Sequence, residues 1–242
     1  MTILYSHQEQ KKSLSRNWTK KTIFILNVDN YAPEITKLTY PFLERYANKI
    51  NAEFVIIKKR MFPKYPVTYE KLQIYELGRN NDWNIYIDSD CLIHPDFFDM
   101  TEVIPENTVL NYNSDFAGNR FVYDNYFRRD GRNIGSINFL TVASSDCNDV
   151  WQPLTDITIE RAIKDIKTIP RDKAIGHDQS FRIDDYVLSR NIAKYGLKFK
   201  TLIEYFNETG KTTYDYLYHE RSTAEKDKIE GIKHKLKEWG YT

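Results

Sequence analysis

The chain has almost no cysteine, no long apolar run and no net charge to speak of, and each shortage closes off a class of protein. Cys91 and Cys147 are its only cysteines, too few for a disulfide framework and not spaced as a metal knuckle. No stretch approaches the length of a membrane span. The opening "MTILYSHQEQKK" lacks the apolar core of a secretory signal. A cytoplasmic, reducing location is the resulting expectation. Basic and acidic residues number 35 and 34, a formal net charge of +1, so no electrostatic footprint argues for nucleic acid. Glycine and proline are sparse too, at 9 and 8, and no repeat or low-complexity tract is visible.

What remains is an ordinary globular composition rich in rings, with 18 Tyr and 13 Phe among 242 residues. That length buries a sizeable core, and a single domain over 1–242 is expected, with a polar lead-in over 1–21 and a charged C-terminal helix over 224–242. The apolar, β-rich runs "TIFILNV" from Thr22, "EFVIIKK" from Glu53 and "NIYIDSD" from Asn84 read as strands. Between them, Ile35, Leu38, Phe42, Leu43, Tyr46 and Ile50 recur at helical spacing, with Pro41 expected to kink or split that helix. "TYEKLQIYELG" reads as a second helix stopped by Gly78. Alternating strands and helices predict an α/β fold with a central, mostly parallel sheet flanked by helices. The second half is less regular: a strand within 132–145, a helix capped by Ser145 or Asp146, a helix over "GHDQSFRIDDYVLSRN" and a strand at "LKFKTLI". The C-terminal helix carries a weak apolar stripe and nearly balanced charges, which reads as a solvated helix, with a peripheral membrane contact as the lesser alternative.

In a parallel sheet, ligands bind beyond the carboxyl ends of the strands. The first strand exits through Asp29 and the third through Asp88 and Asp90, so both sets of acids can face one cleft. Two carboxylates one residue apart at the end of an apolar strand repel and are costly to desolvate. Three readings fit them: a strand end open to water, a haloacid-dehalogenase-like phosphatase with an acid as nucleophile, or a metal bridge to a nucleoside diphosphate. The phosphatase reading could draw a later acidic pair from "IDD" at Ile183–Asp185. Against it, two strands precede the aspartates, and "IDD" lies in a helical pattern. In the metal reading, alternate strand residues point the same way, so Asp88 and Asp90 could approach one Mn²⁺ or Mg²⁺ ion that also binds substrate phosphates.

The segment "YEKLQIYELGRNNDWNIYIDSDCLIHPDFFDM", with "VDNY" before it and "HDQSF" after it, resembles GT-A-fold glycosyltransferases. The nearest likeness is to the glycogenin/galactosyltransferase-like retaining group and to small viral or bacterial GT-A domains. The resemblance implies a (Rossmann-like) GT-A fold and transfer of a sugar from a nucleoside diphosphate sugar, UDP-linked in that group, to a hydroxyl of a glycan or small molecule. It implies that Asp29 and Tyr31, with Asn27 just before them, meet the nucleotide, Tyr31 stacking on the base. Lys71 falls where the family has a basic residue near the nucleotide. Asp88, Asp90 and the late His219 in "YLYHERS" would hold the ion, Asp88 serving the ion or the ribose. Gly135 and Asn138 in "NIGSINFL" would lie beneath the donor sugar, His177 and Gln179 beside it, and Asp178 would be the acid facing it. Asp178 as a plain helix cap is the competing reading. The sequence departs from the family's H-x-x-G-x-x-K pattern at Ser222 and Glu225, leaving Lys211, Arg221 or Lys226 to neutralise the diphosphate. A non-catalytic nucleotide-sugar binder on the same fold is the other alternative.

Overall fold

The computed structural model describes residues 19–113, 139–166, 179–210, 216–219 and 224–241. Strand β1 (Lys21–Leu26) leads through a tight loop into helix α1 (Pro33–Lys49), and β2 (Ala52–Ile57) returns parallel to β1. A 3₁₀ turn, Val67–Gln73, runs into the short helix α2 (Ile74–Leu77), which ends at Gly78. Then come β3 (Trp83–Ile87), β4 (Cys91–Ile93), β5 (Thr108–Asn111) and β6 (Leu140–Ser144). Helix α3 (Ile159–Asp165), helix α4 (Ile183–Lys194), β7 (Lys198–Thr201), α5 (Leu202–Thr209), β8 (Leu217–His219) and α6 (Glu225–Glu238) complete the described chain.

Among the described residues six strands form one sheet in the order β2-β1-β3-β6-β5-β7, and β4 pairs with β8 in a separate ribbon. The pairs β1–β2, β1–β3 and β5–β7 are parallel, whereas β6 runs antiparallel to both β3 and β5. Alternation along the strands divides the core between the two faces. Ile23, Ile25, Ile85 and Ile87 pack with Leu43 and Tyr46 of α1 and with Leu202 and Phe206 of α5. Phe24 and Tyr86 pack on the other face with Trp151, Tyr186 and Val187. The central strands are thus buried on both sides, as a layered α/β sheet requires.

Two local expectations change. Helix α1 runs unbroken through Pro41. Pro41 and Lys37, the residue one turn back whose carbonyl loses its donor, are both exposed, so water can serve that carbonyl. Ser144, rather than Ser145 or Asp146, caps the 3₁₀ segment Ser145–Trp151 by accepting from the Asp146 amide at 3.1 Å. No helix among the described residues is long and apolar enough to cross a membrane.

Candidate active site

Strand β3 ends at Ile87, so the rule that alternate residues share a side stops one residue before Asp88. Asp88 to Asp90 form a turn, closed by the Cys91 amide on the Asp88 carbonyl at 3.1 Å. Its outer connections are equally specific: the Asp88 amide donates to the Phe139 carbonyl at 2.8 Å, and Thr39 of α1 donates to the Ser89 carbonyl at 2.6 Å. Held in this way, the two carboxylates part company.

Asp88 turns toward the face lined by α4. Its Oδ1 accepts from the Tyr86 hydroxyl and lies 3.1 Å from the Lys71 ammonium. Lys71 also meets Asp184, in the first turn of α4, at 2.7 Å, and lies 4.7 Å from the centre of the Tyr86 ring. Lys71 and Asp184 are desolvated, with side chains 8% and 5% exposed. Burial opposes the lysine's charge, but Asp184 and Asp88 outweigh it and hold the ammonium well above its ordinary pKa. Two acids share this one cation. The deeper one, Asp184, is pushed up by burial and by Asp88 despite the lysine. Burial together with Asp88 likewise keeps the Tyr86 phenol protonated, so it acts as a donor.

Asp90 turns the other way. Its Oδ1 lies 3.4 Å from His219 Nε2, and its Oδ2 is bound by the ammonium of Lys228 from α6. Burial would raise its pKa, but His219 and Lys228 outweigh that and hold it below the usual carboxylate range. His219 reaches the site because β8 pairs with β4 in a register that sets His219 directly opposite Cys91. Its ring stacks on Phe139, with centroids 4.4 Å apart and planes at 22°.

Among the described residues, Asp90, Cys91 and His219 form one group of metal-ligating side chains, with an atom from each within 4.8 Å of the others. Asp88 is not part of it. The Cys91 thiol is fully buried, and burial and the neighbouring acids push its pKa well up; as a soft ligand it suits a hard oxygen-seeking ion less than the other two do. An oxygen from Asp90 and an imidazole nitrogen from His219 suit a borderline-hard divalent ion such as Mn²⁺, and Mg²⁺ less well. Nε2 is the His219 nitrogen turned to Asp90, while Nδ1 is buried without a hydrogen-bond partner among the described residues. The residues present therefore fit a divalent cation.

At the carboxyl end of β1, Asp29, Asn30 and Ala32 all adopt positive φ, at 58°, 53° and 48°. Such backbone is strained for side chains with a Cβ and recurs at binding loops. Tyr31, between them, is 61% exposed and near enough to Lys228 to act on it electrostatically. Asn27 Oδ1 is buried without a hydrogen-bond partner. Of the expected site residues, Asp29, Tyr31, Lys71, Asp88, Asp90 and His219 thus lie at the same end of the sheet. Gln179 begins a 3₁₀ turn, Gln179–Arg182, that leads into α4. Gly135, Asn138, His177 and Asp178 lie outside the described residues, as do Lys211, Arg221 and Ser222.

Sequence reasoning did not place Asp184 or Lys228 here. Asp184 had entered only through the phosphatase reading of "IDD". Lys228 carried a legible signal: it stands four and eight residues before Ile232 and Leu236, on the one ridge of α6 that is buried.

No family model matches the sequence, and no curated protein is significantly similar to it. Solved structures do match. One is a glycosyltransferase involved in the glycosylation of the major capsid of PBCV-1, 12% identical, covering 88% of this chain and 99% of that one with a TM-score of 0.52. Another is the galactosyltransferase LgtC in complex with donor and acceptor sugar analogues, 14% identical, covering 90% and 95% with a TM-score of 0.49. At 12% identity and a TM-score above 0.5 the first likeness concerns the fold alone, and the fold is GT-A.

Proposed function

We propose that the protein is a metal-dependent glycosyltransferase that moves a sugar from a nucleoside diphosphate sugar, UDP-linked, to a hydroxyl of a glycan or small molecule with retention. The observation that carries this reading is the convergence of Asp90, His219 and Lys228, from three distant segments, beyond the carboxyl ends of β1 and β3. That is where an open α/β sheet binds its ligand.

Asp90 and His219 would hold the divalent ion, Mn²⁺ ahead of Mg²⁺. When bound, it supplies positive charge against a departing diphosphate. Lys71 and the Tyr86 hydroxyl both hold Asp88 Oδ1 in place, leaving the other Asp88 oxygen to serve the ribose or the ion. The strained Asp29–Ala32 loop offers the exposed Tyr31 ring as a stacking surface for the base. Preorganised charge of this kind lowers a barrier because it needs no rearrangement during reaction. Asp178, Gln179 and His177 are assigned to the sugar, with Asp178 as the acid facing it, and Gly135 and Asn138 to the surface beneath it.

The test incubates the protein with UDP-, GDP- and TDP-sugars, with and without Mn²⁺, and follows nucleoside diphosphate release. Metal-dependent release from one donor class, lost in Asp90→Asn, is the expected result. Tight metal-dependent nucleotide binding with no turnover would leave a non-catalytic binder. Phosphate release from simple phosphomonoesters would favour the phosphatase, for which the contact of "IDD" Asp184 with Lys71 beside Asp88 is the one supporting observation.

A further inference from the structure

We infer that Lys228 and the divalent cation are alternative occupants of Asp90, so that α6 carries a built-in competitor that sets the metal affinity. The inference rests on the metal-dependent reading above and adds a role for a residue outside the ligand set.

Both oxygens of Asp90 are engaged, Oδ1 toward His219 and Oδ2 by Lys228. The ion pair is not a loose surface contact: the Lys228 side chain is 14% exposed and that of Asp90 10%. A doubly charged ion held by Asp90 and His219 would share this carboxylate with the ammonium, and poorly screened like charges repel strongly. The two cations therefore compete for one acid. Three neighbours bear on the lysine besides burial: Asp90 foremost, then Tyr31 and Asp88, so a displaced ammonium has polar and acidic surroundings to turn toward.

Packing, rather than any ligand, puts the lysine there. Ile232 and Leu236 of α6 are buried against Ile35 of α1 and Leu92 of β4. Leu92 is two residues beyond Asp90, so docking of the apolar ridge delivers its next position, Lys228, to the carboxylate. The anchor lies one and two turns further along the helix. A rotamer change in the long lysine side chain can thus vacate Asp90 while the helix stays docked.

The experiment titrates the full chain with Mn²⁺ alone, without nucleotide, by calorimetry. Lys228→Met should bind Mn²⁺ at least about tenfold more tightly than wild type, about 1.4 kcal/mol. Lys228→Arg should bind no more tightly than wild type. Lys233→Met, at an exposed position of the same helix paired with Glu230, should match wild type. In the unmodified protein, saturating Mn²⁺ should raise acylation of the Lys228 amine by a water-soluble ester, a readout independent of any variant's folding. Equal or weaker Mn²⁺ binding by Lys228→Met, or Lys228 acylation unchanged at saturation, overturns the inference and leaves the metal reading standing. Failure of every form to bind Mn²⁺ overturns both.

Discussion

Replacing Lys71 by methionine keeps most of the length of the side chain and removes the charge that two acids share. At an effective dielectric of about 20, each contact near 3 Å is worth about 5 kcal/mol of Coulomb attraction, set against the cost of desolvating all three groups. Removing one partner of a buried pair costs about 3–5 kcal/mol, because a carboxylate is stranded. Protonation caps the loss. Asp184 can escape by taking up a proton, and at about 1.36 kcal/mol per pH unit, over roughly three units from pH 7, that escape costs about 4 kcal/mol. The sign of the pH dependence follows. In the variant, the folded-state pKa of Asp184 lies above its unfolded value with no lysine to oppose it. The penalty is therefore full near neutral pH and fades as pH falls through that raised value. Urea unfolding followed by tryptophan fluorescence at pH 7 and at pH 5 should show the loss at pH 7 and a smaller one at pH 5. In thermal melts each kcal/mol corresponds to about 2–4 °C for a chain of this size. Adding Asp184→Asn should restore at least half of the stability, since it removes the stranded charge. A loss below about 1 kcal/mol that does not vary with pH, or a double variant worse than the single, would refute the electrostatic account of this cluster.

Two further outcomes follow from packing and charge elsewhere. A Cβ on Gly78 would lie 2.2 Å from Asn84 Oδ1. Asn84 is fully buried and held by Asn81 at 2.8 Å, by Asn148 at 3.1 Å and by the Gly78 carbonyl itself at 3.1 Å, so it cannot retreat. Gly78→Ala should therefore cost about 1–3 kcal/mol in urea unfolding, and a neutral result would show that the Asn84 network is soft. Arg190 grips Asp156 with two bonds, of 2.8 and 2.9 Å, and this fork holds the Asp156 carboxyl below its usual range. A depressed acid stabilises the fold above its unfolded pKa and loses that contribution as pH falls through the folded one. Asp156→Asn should accordingly flatten the acid limb of the stability profile below about pH 4. The effect should be no more than about 1 kcal/mol, because Asp156 is about a third exposed and partly screened.

The first 90 residues were legible because their signals are local. Buried parallel strands show as short apolar runs, α1 as a helical stripe, and the stop after α2 as Gly78. Later elements escaped for different reasons. Helix α5 announces itself through a capping box, Thr201 with Glu204, a signal passed over because it begins at the last residue of β7. Strand β5 is four residues long and is stabilised by its neighbours β6 and β7, so periodicity had too few positions to work with. The β4–β8 ribbon joins segments more than a hundred residues apart, and no local pattern encodes such a pairing.

The site follows the same division, and the aspartate pair shows why. From sequence, Asp88 and Asp90 are two acids on one side of a strand, and one shared ion is among the expected ways to relieve their repulsion. The chain relieves it differently, by ending β3 at Ile87 and turning. Each acid then finds its own cation: Asp88 meets Lys71, delivered by the preceding 3₁₀ turn, and Asp90 meets Lys228, delivered by the last helix. Separation changes what a substitution at each would mean. Loss of the Asp88 charge touches a cluster that includes Asp184 and the α4 face of the core, so stability should respond. Loss of the Asp90 charge leaves Lys228 and His219 at the edge of the cleft, where metal and nucleotide binding should respond first. The spacing of the two acids locates the site, and the turn between them gives Asp88 to Lys71 and Asp90 to His219 and Lys228.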